Sequence, residues 1–417
     1  MQKAALWQMM AMLLQAFAVF LTGFGLLHSA ETQHYALFAL SQVVQGTANG
    51  VINALCAAPL LMLLNKTVNT ADNGIHRFQA EPSLKCYGLV AFGIALGAAL
   101  IQLLLALLLA WPLLSVVAIS CCTFLLSVRW YLRAVAQNTQ QSLVVFSDLL
   151  LAISQLLGLL VLFLYSRITL FDVSVLLVCS ALFSLWPFWR VATQQLQGSF
   201  VWQTFRNGYR DQGKPALSGM ISVEMATNFH SYAIVLLAGA AAYAPIAAAA
   251  MFLRPMTIVQ NSLQQYFRPL LVRHLTSSAL ISNDVRVMVT HLLYAAVSAW
   301  FLNVFVIVLV AIFSISWLWP ESTTQVEFFW AIALSSVWYL LRSLRIHTSS
   351  FLQAANCFDE LAKVTWISSL LLMPLVLLAL IFGTALMTLG VAIASELYIV
   401  VRLHQLSKNL RGHLGTR

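Results

Sequence analysis

Runs of roughly 20 or more apolar residues recur along the whole chain, each long enough to cross a ~30 Å hydrocarbon core as a helix. No stretch between them is long enough to make a soluble domain. Of the 417 residues, 61% are hydrophobic and only 8% are charged, with a mean hydropathy of +0.87. So few charges cannot cover a water-soluble globule of that size, and a bilayer is the solvent that suits the chain. The first run, from about Leu6 to Leu27, is longer than a signal-peptide core. No small-residue cleavage site separates it from Tyr35, where the next run begins, so it reads as a retained helix.

Hydropathy predicts twelve spans, at about 5–27, 34–63, 87–110, 114–133, 142–165, 169–190, 216–238, 241–266, 288–318, 326–350, 361–381 and 384–405. The fold class is therefore all-α, a polytopic transmembrane bundle with both termini on one side. With a cytosolic N-terminus the inner segments hold 20 of the 22 basic residues. The exceptions are Arg167 in an outer loop and Arg254 deep in a helix. The positive-inside bias sets this orientation. The outer turns are short and mildly acidic, with Glu31, Asp172, Glu321 and Glu327. The net charge of +9 is spread thinly between apolar runs, which excludes a nucleic-acid partner. The six cysteines form no CxxC pair, and neither a disulfide nor a zinc site is expected.

The longest polar connection, from Arg190 to Lys214, divides the chain into lobes of six helices, 1–199 and 200–417. Six is even, so the lobes form a parallel repeat about an axis along the membrane normal. Tyr35-Ala36 and Tyr243-Ala244 each open an outer-to-inner helix, at an offset of 208 residues. That offset also pairs Asn49 with Thr257 and Asn53 with Asn261, and a small slip pairs Pro59 with Pro269.

Gln42, Gln45, Asn49 and Asn53 fall on one face of the second helix. In the eighth, Arg254, Thr257, Asn261, Gln264 or Gln265, and Arg268 repeat the pattern. Such groups are expensive against lipid, so the stripes face either a wet cleft or hydrogen-bonding partners inside the bundle. Glu224, roughly 12 Å into the seventh helix, and Arg254, roughly 20 Å down the eighth from the opposite surface, lie at nearly one depth. They suit a pair in which the carboxylate neutralises the guanidinium until a phosphate takes it. A permanent structural ion pair is the alternative. His230 is a proton relay or a packed core histidine. Asp148 and Glu396 suit either proton coupling or, the preferred reading, pairing with a nearby Arg or Lys.

No Walker A loop, HExxH, GxSxG or His/Cys cluster occurs, so neither enzymatic chemistry nor a cofactor or metal is expected. The short outer loops argue against a membrane polymerase or ligase, which commonly carries its catalytic residues in a large one.

Arg206-Asn207-Gly208-Tyr209, Lys214-Pro215, Ser218, Leu237-Ala238-Gly239, Tyr243-Ala244, Arg254-Pro255 and Phe267-Arg268-Pro269-Leu270 occur in an order that resembles the seventh and eighth helices of one family. It is the multidrug/oligosaccharidyl-lipid/polysaccharide (MOP) flippase superfamily, in its Wzx-type polysaccharide-transporter branch. The resemblance implies two lobes around a central cavity, as in MATE transporters, and gives Arg254 the place of a cavity arginine that binds pyrophosphate. Gln8, Gln15, Gln42 and Gln45 stand where lipid-II flippases of this superfamily carry arginines, which argues against lipid II as cargo. The expected function is a flippase for an undecaprenyl-pyrophosphate-linked oligosaccharide or exopolysaccharide unit. Membrane lipids, and a polysaccharide polymerase and export proteins, are its expected partners. An ion-coupled exporter of drugs or metabolites on the same fold is the rival, and an exporter of cations would carry an unneutralised carboxylate.

Overall fold

The computed structural model describes residues 2–60, 63, 84–108, 111–137, 140–165, 168–197, 200–277, 283–313, 324–355 and 357–415. Lys66, Arg77, Arg167, Glu321 and Arg417 lie outside the described residues, as do the side chains of Gln8, Asn261, Gln265, Arg268, Pro269 and Arg273. Among the described residues the chain is all-helical, in twelve helices. These are α1 (Gln2–Ser29), α2 (Thr32–Ile52, running on to 60), α3 (Leu84–Leu108), α4 (Leu113–Gln137), α5 (Gln141–Leu164) and α6 (Leu170–Leu185, running on to 197). Then follow α7 (Trp202–Gly208, running on to 237), α8 (Ala240–Ser277), α9 (Asn283–Phe313), α10 (Gln325–Ala354), α11 (Phe358–Phe382) and α12 (Ala385–Gly415).

Two helices widen by one π turn, over Asn53–Ala57 in α2 and Tyr209–Gly213 in α7. Each lies just ahead of a proline, Pro59 and Pro215. A proline within a helix has no N–H to donate, and its ring crowds the carbonyl four residues back; a wider turn accommodates both faults without ending the helix. The turn between α7 and α8 is closed by Gly239 at φ +87°, a conformation that costs a side chain but not a glycine. Asp172 and Glu327, expected in outer turns, occupy the first turns of α6 and α10. There the caps Thr169 and Thr324 accept their backbone N–H groups at 3.2 and 3.3 Å.

The polar connection expected from Arg190 to Lys214 is instead largely helical. The sixth helix continues over Trp189–Gln197, and α7 begins at Trp202. The segment is amphipathic, with its charges on one side and Phe205 buried on the other. Phe205 lies edge-on to Tyr87 at 5.1 Å and stacks with Trp202 at 5.0 Å. Sequence hydropathy averages the two faces and so registers a break.

The chain divides into two compact units, Met1–Met220 and Ile221–Arg417. The two are wired alike around their hubs. In the first, α4 is the hub, packed against α2, α3 and α6, with α5 against α1 and α6. In the second, α10 is the hub, packed against α8, α9 and α12, with α11 against α12. α11 also ties to α7 through the Ser222–Thr365 hydroxyl pair at 2.7 Å and the bond from Ser369 Oγ to the Ser222 carbonyl at 2.8 Å. The like packing of the two hubs agrees with the expected internal repeat. Large apolar side chains such as Leu100, Ile101 and Leu104 on α3, and Phe301, Leu302 and Phe305 on α9, are exposed. Surfaces of that kind belong in lipid.

Gly208 shows how tightly the first unit closes. A Cβ there would collide with the hydroxyl of Tyr87, whose ring is fully buried against Phe205 and cannot swing aside. Gly→Ala in a helix is ordinarily stabilising by roughly 0.5–1 kcal/mol. At Gly208 the sign reverses, with an expected loss of about 1–3 kcal/mol from overpacking. Thermal unfolding of the detergent-solubilised variant measures it, and a melting temperature equal to or above wild type would contradict the crowding.

Candidate functional site

Among the described residues, eight helices are long and apolar enough to cross a membrane: α1, α3, α4, α5, α6, α9, α11 and α12. The other four, α2, α7, α8 and α10, are not among those eight. Three of them, α2, α7 and α8, carry the polar groups singled out in the sequence. Inside a bundle a helix tolerates such groups only where protein or water satisfies them.

In the first unit, Gln42, Gln45 and Asn49 are half-buried on α2, with Gln42 engaged, while Asn53 is exposed at the start of the π turn. Asn49 Oδ1 is buried and has no hydrogen-bond partner among the described residues. In the same unit, α4 and α5 are joined by charge. Arg129 reaches Asp148 at 2.5 Å, and Arg133 lies 3.1 Å from it through both Nε and a terminal nitrogen. Asp148 is fully buried and the two arginines nearly so. Asp148 is therefore paired, as preferred from its position, and by two guanidiniums rather than one. Arg129 and Arg133, read in the sequence as inner-surface charges, belong to this buried cluster.

In the second unit, Glu224 on α7 is half-buried and accepts a hydrogen bond from Asn228 Nδ2 at 2.9 Å, one turn further along. Arg254 on α8 is also half-buried, and is engaged among the described residues. It lies within electrostatic reach of Tyr243. Thr257 has a buried Oγ1 without a hydrogen-bond partner among the described residues. Asn261 is on the same helix, with its side chain outside the described residues. Gln260, which the stripe pattern passes over, is the residue that faces the hub, donating from Nε2 to Ser343 Oγ at 2.6 Å. His230 is buried, edge-on to Trp338 with ring centroids 5.4 Å apart, which fits the packed reading of that residue. Glu396 is paired, with Arg345 at 3.1 Å.

The hub helices carry the groups that sequence reasoning missed. Trp130-Tyr131-Leu132 on α4 and Trp338-Tyr339-Leu340 on α10 stand 208 residues apart, the offset already found between α2 and α8. In each, an arginine further along lies over the tryptophan ring, Arg133 at 5.7 Å and Arg342 at 5.3 Å. This tripeptide repeat is a stronger internal match than Tyr35-Ala36. The signal was present, but aromatic-rich helices look alike until a shared offset is applied to them.

The sequence matches no protein-family model and no curated relative. Among solved structures the fold is similar to the lipid II flippase MurJ in an inward closed conformation, with a TM-score of 0.65 at 10% identity, covering 98% of this chain and 88% of that one. It is similar to a eukaryotic MATE transporter, with a TM-score of 0.64 at 13% identity, covering 99% and 98%. It is also similar to a MOP superfamily transporter from Pyrococcus furiosus whose binding pocket is described as reversed in polarity, with a TM-score of 0.58 at 13% identity, covering 99% and 96%. Twelve helices in two units with like hubs, matched over nearly the whole chain by these structures, give this protein the MATE/MOP-like fold that MATE transporters and a lipid flippase share.

Proposed function

We propose that this protein is a flippase that carries an anionic lipid-linked sugar, of the undecaprenyl-pyrophosphate-linked oligosaccharide class or a related exopolysaccharide unit, from the cytosolic to the periplasmic face of a bacterial inner membrane. The observation that carries this reading is the sign of the charge inside the bundle. Asp148 and Glu396 are each neutralised by arginine, and Glu224 is hydrogen-bonded by Asn228. Two arginines meet the one carboxylate in the first cluster, and in the second unit Arg342 stands without an ion pair among the described residues, beside the Arg345–Glu396 pair. A bundle so biased repels cations and receives anions.

On this reading the amides of Gln42, Gln45, Asn49 and Asn53, with Thr257 and Asn261, hold the sugar by hydrogen bonds. Arg254 holds phosphate in its planar donor fork, and Glu224 balances that charge when no cargo is present. The lipid tail stays in the bilayer while the two lobes open alternately. Both termini are cytosolic, and a polysaccharide polymerase and export proteins receive the cargo.

The test is mass spectrometry of lipid extracts from cells depleted of the protein, with intact and lysed spheroplasts treated with a sugar-modifying enzyme. A lipid-linked oligosaccharide that accumulates protected from outside supports the flippase. An unchanged lipid pool moves the function to the exporter, which the likeness to MATE transporters favours. In the same cells Arg254→Gln is expected to slow clearance of the lipid roughly 10-fold or more, the scale of a lost charge-assisted hydrogen bond. Full clearance by that variant would remove Arg254 from the cargo site.

A further inference from the structure

The two hub helices share an aromatic pair and a following arginine, but their charge balance differs. In the first unit Arg133, over Trp130, is neutralised by Asp148. In the second unit the available carboxylate, Glu396, is taken by Arg345. Arg342 is left with aromatic faces alone, 5.3 Å from the Trp338 ring centre and 5.4 Å from that of Tyr339. Among the described residues it makes no ion pair and no hydrogen bond, and it repels Arg345 one turn away. It stands at the eighteenth of thirty helical positions, near the middle of α10.

Two buried polar atoms on adjoining side chains share this condition. His230, 2% exposed, packs edge-on against Trp338, 5% exposed, and neither His230 Nδ1 nor Trp338 Nε1 has a hydrogen-bond partner among the described residues. Each such atom costs about 1–3 kcal/mol, and an unpaired charge costs more. Two such orphans on touching side chains, beside a half-buried guanidinium without an acid among the described residues, describe a place where a ligand belongs. A guanidinium lying on aromatic rings keeps its in-plane N–H groups free. An indole N–H can only donate, and an imidazole nitrogen can donate or accept. A compact anion with several oxygens satisfies all three.

We propose that Arg342, Trp338 and His230 form a phosphate-binding subsite inside the second unit, which takes the diphosphate of the lipid-linked cargo. This deepens, and rests on, the flippase reading. The shared chemistry is phosphate, from a lipid headgroup or free in solution. The subsite draws on α7 and α10, whereas Arg254 lies on α8. Arg342, with no carboxylate partner among the described residues, is an anion receptor of a kind that Arg133, held by Asp148 in the first unit, is not.

The experiment measures binding of inorganic phosphate and of farnesyl diphosphate, a short polyprenyl diphosphate without sugar, to the purified full chain in detergent. Wild type is compared with Arg342→Gln, Arg342→Lys and Arg254→Gln. Arg342→Gln is expected to lose roughly 10- to 100-fold in affinity for both probes. It should also melt no lower than wild type without ligand, because it removes an unpaired charge. Arg342→Lys is expected to fall between, keeping the charge without the fork. If farnesyl diphosphate binds no tighter than phosphate and Arg342→Gln loses both, the subsite stands and the lipid-linked cargo falls. If Arg342→Gln binds both probes like wild type, the subsite is overturned whatever Arg254→Gln does. Should Arg342→Gln aggregate, Trp338→Phe carries the test, with an expected loss of several-fold, and an unchanged affinity overturns the proposal.

Discussion

Replacing Asp148 with leucine is expected to cost about 3–5 kcal/mol, the largest effect of any single substitution considered for this protein. The residue is fully buried between Arg129 and Arg133, whose side chains are 4% and 6% exposed. Removing the carboxylate leaves two like charges in apolar surroundings with nothing to balance either. With typical stabilities of about 5–15 kcal/mol, that loss is enough to deplete the folded protein from membranes. Asp148→Asn keeps the shape and an acceptor oxygen but not the charge, so an intermediate loss is expected. The triple variant Arg129→Met, Arg133→Met, Asp148→Leu removes all three charges and is expected to recover much of the stability, because a buried ion pair is worth little against well-packed apolar side chains. Melting temperature and yield in detergent order the three variants. If Asp148→Leu melts like wild type, the cluster does not hold α4 to α5.

The second large effect is expected at Glu396. It is 1% exposed, and its carboxylate meets Arg345 at 3.1 Å across α10 and α12. Glu396→Leu strands Arg345 beside Arg342, which already repels it. The expected cost is about 3 kcal/mol, at the lower end of the range because Arg345 retains 14% side-chain exposure. Arg345→Met strands the carboxylate instead and is expected to cost a similar amount. The double variant should lose less than the sum, with an interaction of about 0.5–3 kcal/mol in a double-mutant cycle. Strict additivity would show that the two residues stabilise the fold independently and that their contact carries nothing.

The two clusters differ in a way that matters for function. Two arginines on a hub helix face one carboxylate in each unit. Asp148 on α5 reaches both of its arginines, whereas Glu396 on α12 reaches only the further one. The repeat therefore preserved the aromatic shelf, while the arginines and the acid beside it stand at different positions in the two units. In the second unit that shift frees Arg342, and the unit carries a receptor that the first does not.

The twelve helices, the all-helical class, the internal repeat and the choice of α2, α7 and α8 as polar helices were all legible in the sequence. Each is a property of local composition and period: a run of apolar residues must span, and amides at helical spacing must share a face. The pairing preference of Asp148 and Glu396 was legible for the same reason, since a carboxylate at that depth needs a cation. The helical course of Trp189–Gln197 and Trp202–Gly213 was not, because its charges occur every few residues and only the burial of Phe205 against Tyr87 shows which side faces inward. The importance of α10 was hidden too. Arg342 and Arg345 lie three residues apart and read alike along the chain as topology anchors. Which of them meets Glu396, and which is left over Trp338 beside His230, depends on the rotation of α10 against α7 and α12. Composition and period decided what this protein is made of and that it belongs in a bilayer. Tertiary packing alone decided which charges cancel, because cancellation is a matter of a few ångströms between helices far apart in sequence.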